Sequence, residues 1–225
     1  MMGGSAFPNF NPALHSLRGL AACAVMLFHW EQFFPAFGAL VQSLVPANSL
    51  LDPTAYIGFG WMGVPLFFIL SGWLLGGQVI RADITAGYLR HFWTRRFLRI
   101  YPAVWAELLV LLLLARSIPG LIDAASYNTL HLQFLLWLNL PPFMAAPLNL
   151  VWWTLPVELA FYLLLPLLGW CAGFINWRVL LLSSLSITLA WRFLIFSSAE
   201  VDNYLAILPV LDSLLGTLFT FMLGF

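Results

Sequence analysis

Residues 14–34 read LHSLRGLAACAVMLFHWEQFF, an apolar stretch long enough to enter a bilayer that nevertheless carries Arg18 and His29. At roughly 100° per residue, their spacing returns to within about 20° of the starting direction, so on one helix both side chains share a face, about 16 Å apart along the axis. That face holds a guanidinium near one membrane surface and an imidazole deeper inside. Ionisable groups cost several kcal/mol in hydrocarbon and are kept where they face a bundle interior or a wet cavity, so the pair marks a candidate functional site.

Working outward, the whole chain has the same character. Of its 225 residues 62% are hydrophobic and only 8% charged, with a mean hydropathy of +0.94, far from the roughly one-quarter charged composition of soluble domains. The fold class expected is all-α, a polytopic transmembrane helical bundle of six or seven membrane helices. Candidate spans are 14–34, 59–80, 100–116, 150–170, 179–196 and 205–225. Residues 130–146 are apolar but short and broken by Pro141, Pro142 and Pro147, and read better as a non-spanning segment. Residues 1–12, rich in Gly, Asn and Pro, form a short arm. The first apolar run is too long and too interrupted by charge for a cleaved signal peptide. The chain stops at Phe225 inside an apolar run, and so reads as an incomplete N-terminal portion of one membrane domain, 1–225.

Charge sets the orientation expected. The loop expected at 81–99 holds Arg81, Arg90, Arg95, Arg96 and Arg99 against Asp83 alone, which places it, and the amino terminus, in the cytoplasm. Asp52 and Asp123 then fall in outward loops; if 130–146 does not span, Arg178 falls inside and Glu200 and Asp202 outside, the better fit to charge, and if it spans these three invert. Every basic residue is Arg and the net charge is zero, so nothing suggests a nucleic-acid partner. Cys23 and Cys171 have no metal-like spacing and read as buried core thiols. No metal site is expected.

Glu158 is the one carboxylate in VWWTLPVELAFYLLLPLL, about 12 Å into that span. If 130–146 does not span, Glu158 and His29 come to similar depth, where a carboxylate raises the basicity of an imidazole and fixes its tautomer, as a general base acting on a hydroxyl requires. A protonated or merely structural Glu is the alternative. Arg96 and Arg99, three apart in HFWTRRFLRIYP, share a helix face and suit either a topogenic anchor or a phosphate clamp. Glu31 reads as a solvated rim residue, and His15, His91 and His131 have no comparable pairing. In GWMGVPLFFILSGWLLGG the glycines at 60, 63, 72, 76 and 77 read as close helix packing, and Ser71 lacks a nucleophile elbow.

Four stretches in order resemble the membrane acyltransferase-3 family. LHSLRGLAACAVMLFHW is similar to its first-helix Arg-x10-His motif, GVPLFFILSGWLL to its FF-x-x-SG segment, RRFLRIYP to its Arg-x-x-Arg pair, and WTLPVELAFYLLLP to its W-S-L-x-x-E-x-x-F-Y motif, with Thr154 in place of Ser. The resemblance implies transfer of an acyl group, commonly acetyl, from acyl-CoA to a hydroxyl of a carbohydrate or lipid-linked glycan in the bacterial cell envelope. Donor and acceptor would approach from opposite faces of the cytoplasmic membrane. It implies His29 as the catalytic base, either deprotonating the acceptor directly or first taking the acyl group as a covalent relay, Glu158 as the carboxylate that orients and charge-balances it, and Arg18, Arg96 and Arg99 as groups holding the acetyl-CoA or other acyl-CoA donor, with no bound cofactor. The family has about ten membrane helices, more than this chain offers. The competing readings are a transporter or flippase, with Arg, His and Glu forming a substrate or proton pathway, and a noncatalytic assembly subunit. The lack of an internal inverted repeat counts against transport.

Overall fold

The computed structural model describes residues 12–44, 52–140, 143–198 and 204–225. It is overwhelmingly helical. The chain divides into two compact units, Met1–Ser71 and Gly72–Phe225.

In the first unit, α1 (Pro12–Phe33) is one unbroken 22-residue helix, ended where Pro35 opens the short α2 (Pro35–Ser43) at its first position. Helix α3 (Pro53–Gly58) is capped by Asp52, whose carboxylate accepts from the Thr54 backbone N–H at 2.9 Å and the Thr54 hydroxyl at 2.7 Å. Gln42 of α2 donates to the same hydroxyl at 3.1 Å and ties the two helices together. A 3-10 turn, Phe59–Met62, leads into α4 (Gly63–Val79). Gly60 and Gly63 lie so close to α1 that an added Cβ would fall 2.2 Å from the Ala24 carbonyl oxygen and 2.7 Å from that of Ala21. No side chain fits between these backbones, and the small-residue reading of that segment holds here.

In the second unit, α5 (Ala86–Ala115) runs for 30 residues, started by Thr85, whose hydroxyl accepts from the Tyr88 N–H. At 1.5 Å per residue it is about 45 Å long, against a hydrocarbon core of about 30 Å. About ten of its residues must therefore project beyond the core. This corrects the reading of 81–99 as a loop: from Ala86 onward the arginines lie on the helix that also forms the span. Short helices α6 (Ala124–Asn128) and α7 (Leu130–Leu135) come next, then a two-residue antiparallel pair, β1 (Asn139–Leu140) and β2 (Phe143–Met144). Asp123 caps α6, and the Ser126 backbone N–H donating to it at 2.6 Å holds its carboxyl below the usual range. A second 3-10 turn, Leu150–Trp153, opens α8 (Thr154–Ala172), succeeded by α9 (Trp177–Ser198), α10 (Tyr204–Leu211) and α11 (Leu214–Met222).

The segment 130–146 contains no membrane-length helix, because α7 ends after six residues at Leu136, whose backbone takes the left-handed φ of 54°. Side chains pin the chain between this turn and α8. Buried Gln133 donates to the Ala146 carbonyl at 2.8 Å and accepts from the Leu148 N–H at 3.2 Å, while Asn139 donates to the Trp153 carbonyl at 3.0 Å. Tyr101 and Trp105 of α5 donate to the Leu135 and Phe134 carbonyls at 3.0 and 3.1 Å.

Among the described residues, four helical stretches are long and apolar enough to cross a membrane: Pro53–Val79, Ala86–Ala115, Val151–Ala172 and Trp177–Ser198. The count of six or seven is not reached. The polar residues of α1 keep it out of this set, and 205–225 is split into two helices of eight and nine residues at Asp212 and Ser213. Phe193, Trp73 and Trp170 expose 71%, 62% and 60% of their surface, as helices facing lipid do. The core of the second unit is built on α8: Val157, Phe161, Tyr162 and Leu165 are wholly or almost wholly buried, with Phe161 stacked on Phe221 at 4.0 Å between ring centroids. Cys23 corrects the reading of a buried thiol, since it lies on the exposed side of α1; Cys171 is half-buried, and neither forms a disulfide. The arm at 1–11 and the charges Glu200 and Asp202 lie outside the described residues.

Candidate active site

Arg18 and His29 belong to the first unit. Because α1 is continuous between them, the shared face expected from their spacing stands. Both are half-buried, and the His29 ring lies edge-on to Phe28 at 5.3 Å.

In the second unit the Arg-rich start of α5 meets α8. Glu158 and Tyr162 lie four residues apart, which places them one above the other on one helix face. The Tyr162 hydroxyl donates to Glu158 Oε1. Arg96 sits beside the phenol ring, its guanidinium carbon 5.6 Å from the ring centroid and also 5.6 Å from that of Phe92. A cation held over two aromatic faces gains from each ring quadrupole, and more so where water is excluded. Its Nε is buried and has no hydrogen-bond partner. The indole N–H of Trp93 donates to the Tyr162 carbonyl at 3.1 Å and joins the two helices at this group. Thus Arg96, Tyr162 and Glu158 form one cluster. Arg99 lies one turn further along α5 and is exposed. The two arginines that sequence places on one face therefore have different environments, one folded against aromatic rings and one facing outward.

Three features were not found by reading the sequence. Tyr162 is one, although the Glu-x-x-x-Tyr spacing within the quoted α8 motif was signal enough. The second is Glu107, a carboxylate inside the α5 span that accepts from Asn149 Nδ2 at 2.6 Å and from Trp152 Nε1 at 3.0 Å. It anchors the 3-10 turn from which α8, and so Glu158, departs. Asn149 also caps that turn by accepting from the Val151 N–H at 3.0 Å. The third is Arg192 on α9, which donates to Asp212 at 2.8 Å and to the Gly216 carbonyl at 3.1 Å. With Trp191 donating to the Val210 carbonyl at 2.9 Å, it fixes the break between α10 and α11 against α9.

The acyltransferase domain model matches residues 11–225, nearly the whole chain, and the chain belongs to that family, the membrane acyltransferase-3 family. Nodulation protein 10 of Rhizobium leguminosarum bv. viciae is 30% identical over 172 residues, 68% of this chain and 42% of the relative. Acyltransferase MdmB of Streptomyces mycarofaciens is 31% identical over 181 residues, covering 72% of this chain and 43% of its own length. The peptidoglycan O-acetyltransferase OatA of Listeria monocytogenes is 27% identical over 181 residues, 74% of this chain and 25% of that protein. The chain thus spans less than half the length of these curated relatives. No solved structure matches. Apolar helices and family together make this an integral membrane protein.

Proposed function

We propose that the chain carries the chemistry of an integral-membrane O-acyltransferase that moves an acyl group, acetyl in the first instance, from acyl-CoA to a hydroxyl of a carbohydrate or lipid-linked glycan. The observation that carries this reading is the Arg96–Tyr162–Glu158 cluster, in which the family's Arg-x-x-Arg and Glu-x-x-F-Y motifs meet within a pair of membrane-length helices. The peptidoglycan O-acetyltransferase among the relatives supports a glycan acceptor.

In this proposal His29 takes the proton from the acceptor hydroxyl as its oxygen attacks the thioester carbonyl carbon. The tetrahedral intermediate collapses with cleavage of the C–S bond, and the departing thiolate recovers the proton from the imidazolium. Glu158 supplies the negative charge that balances the imidazolium. Arg99, exposed on the cytoplasmic end of α5 by the positive-inside rule, binds donor phosphates, and Arg18 is a further donor contact. The protein resides in the bacterial cytoplasmic membrane with its amino terminus in the cytoplasm.

The test supplies membranes carrying the protein with acetyl-labelled acetyl-CoA and a cell-envelope glycan. Label is expected to enter the glycan as a base-labile ester, and to fail to do so with His29→Ala. Movement of substrate across the membrane without ester formation would instead support a transporter.

A further inference from the structure

A polar cleft opens to the surface where α1 turns into α2, lined by Glu31, Gln32, Pro35, Gly38, Ala39 and Gln42. Glu31 is half-buried, and its carboxylate lies so close to α2 that a Cβ added at buried Gly38 would come 3.2 Å from Oε1. Gln42 is oriented by its partner. The Thr54 hydroxyl spends its proton on Asp52 and turns a lone pair to Gln42, whose Nε2 donates to it at 3.1 Å, so the Gln42 carboxamide oxygen is directed away from Thr54. Among the described residues none donates to that oxygen, to the Glu31 carboxylate or to the Gln32 carboxamide.

We propose that this cleft seats a neutral sugar residue of the acceptor, whose hydroxyls donate to Glu31 and to Gln42 Oε1 and accept from Gln32 Nε2 while a neighbouring hydroxyl is presented to His29. The inference rests on the acyltransferase reading and deepens it, naming where the acceptor is held and which sugars are favoured. A sugar hydroxyl both donates and accepts, and a carboxylate beside two carboxamides offers partners for both. Position agrees, because His29 and Gln32 are three residues apart on the continuous α1 and so are neighbours on its surface, about 4.5 Å along the axis. In the orientation proposed above, this end of α1 faces away from the cytoplasm, the side on which an envelope glycan lies. Charge selects the kind of sugar. Within Met1–Ser71, Arg18 is the one Arg or Lys, and it lies about 20 Å from Glu31 along α1. An acidic sugar would bring its carboxylate against Glu31 with no nearby cation to offset the repulsion, which discriminates against it in favour of a neutral one.

The experiment measures transfer from acetyl-labelled acetyl-CoA to cell-envelope glycan, to a neutral glycan (dextran) and to an acidic one (polygalacturonate), in membranes carrying the protein and three variants. The unaltered protein is expected to favour dextran over polygalacturonate. Glu31→Gln is expected to raise the KM for dextran roughly fivefold, as hydrogen bonds to a charged acceptor become bonds to a neutral one, with the KM for acetyl-CoA unchanged. Glu31→Lys is expected to shift the dextran-to-polygalacturonate ratio of kcat/KM by roughly tenfold or more toward the acidic glycan. Gln42→Ala, at an exposed position of α2, repeats the acceptor-KM comparison without altering α1, so that a folding defect in the Glu31 variants does not decide the matter. Acceptor KM and glycan ratio unchanged in the variants, a rise in the KM for acetyl-CoA instead, or preference for the acidic glycan in the unaltered protein would overturn the proposal and leave the acyltransferase reading standing. Absence of transfer from the unaltered protein to every glycan would overturn that reading and this inference together.

Discussion

Tyr162 donates its hydroxyl to Glu158 one turn earlier on α8 while its ring lies 5.6 Å from the Arg96 guanidinium carbon. One side chain thereby sets the positions of a carboxylate and a guanidinium on different helices. Removing only its oxygen separates those two duties. In Tyr162→Phe the ring still carries Arg96, but Glu158 loses a donor worth about 1.5–3 kcal/mol, the range for hydrogen bonds to charged groups. The turnover number is expected to fall roughly 10- to 100-fold with donor KM little changed. A fall in kcat/KM that arises wholly from KM would show that Tyr162 serves donor binding instead.

Arg99 faces outward where Arg96 turns in. Arg99→Ala is expected to raise the KM for acyl-CoA by roughly tenfold, since a charge-assisted phosphate contact is worth about 1.5–3 kcal/mol, while leaving kcat nearly intact. Titrating initial rates against acetyl-CoA checks this. A donor KM equal to that of the unaltered protein would remove Arg99 from the binding role.

Glu107 takes hydrogen bonds from Asn149 and Trp152. Glu107→Ala strands two donors at the entrance of α8, at about 1–3 kcal/mol each, and Glu107→Gln keeps an acceptor for one of them. Thermal unfolding monitored in detergent should rank the proteins unaltered, Gln, then Ala. Equal midpoints for all three would mean that the turn before α8 is held by its backbone alone.

Gly169 and Gly77 give a paired test of packing. A Cβ at Gly169 would come 2.3 Å from Val79 Cγ1, whereas Gly77 has nothing within 4 Å. Gly169→Ala is expected to destabilise by about 1–3 kcal/mol as the contact is forced apart. Gly77→Ala is expected to be neutral or to stabilise the helix by up to about 1 kcal/mol. The reverse order in melting temperature would contradict the helix contacts described.

Much of the architecture is legible in the chain itself. The spans at 59–80, 150–170 and 179–196 need only apolar length, and the glycines at 60, 63, 72 and 76 do pack closely: Gly72 approaches the Phe221 carbonyl and Gly76 the Phe225 ring, while Gly77 stays open. The continuity of α1 comes from a run without proline between Ala13 and Phe34. The features hidden from sequence depend on tertiary partners. A loop is expected at 81–99 and a helix is found, because positive charge reports which side of the membrane a segment occupies and not whether it is helical; Thr85 and the lack of proline before Pro102 let α5 begin at Ala86. Glu107 is hidden because an apolar run says nothing of the Asn149 and Trp152 that meet it 42 and 45 residues later. The break at Asp212 likewise depends on Arg192, 20 residues earlier on α9.

The central claim is that His29 is the base of an acyl-CoA-dependent transfer. His29→Ala and Glu158→Gln, made singly and together, should act as one unit, the double variant being no slower than the worse single one, because groups that serve one step are not additive. The most direct measurement is release of free CoA thiol from acetyl-CoA in membranes carrying the protein, with cell-envelope glycan present. The account predicts acceptor-dependent release that His29→Ala reduces to the level of membranes without the protein; release undiminished in His29→Ala would contradict it.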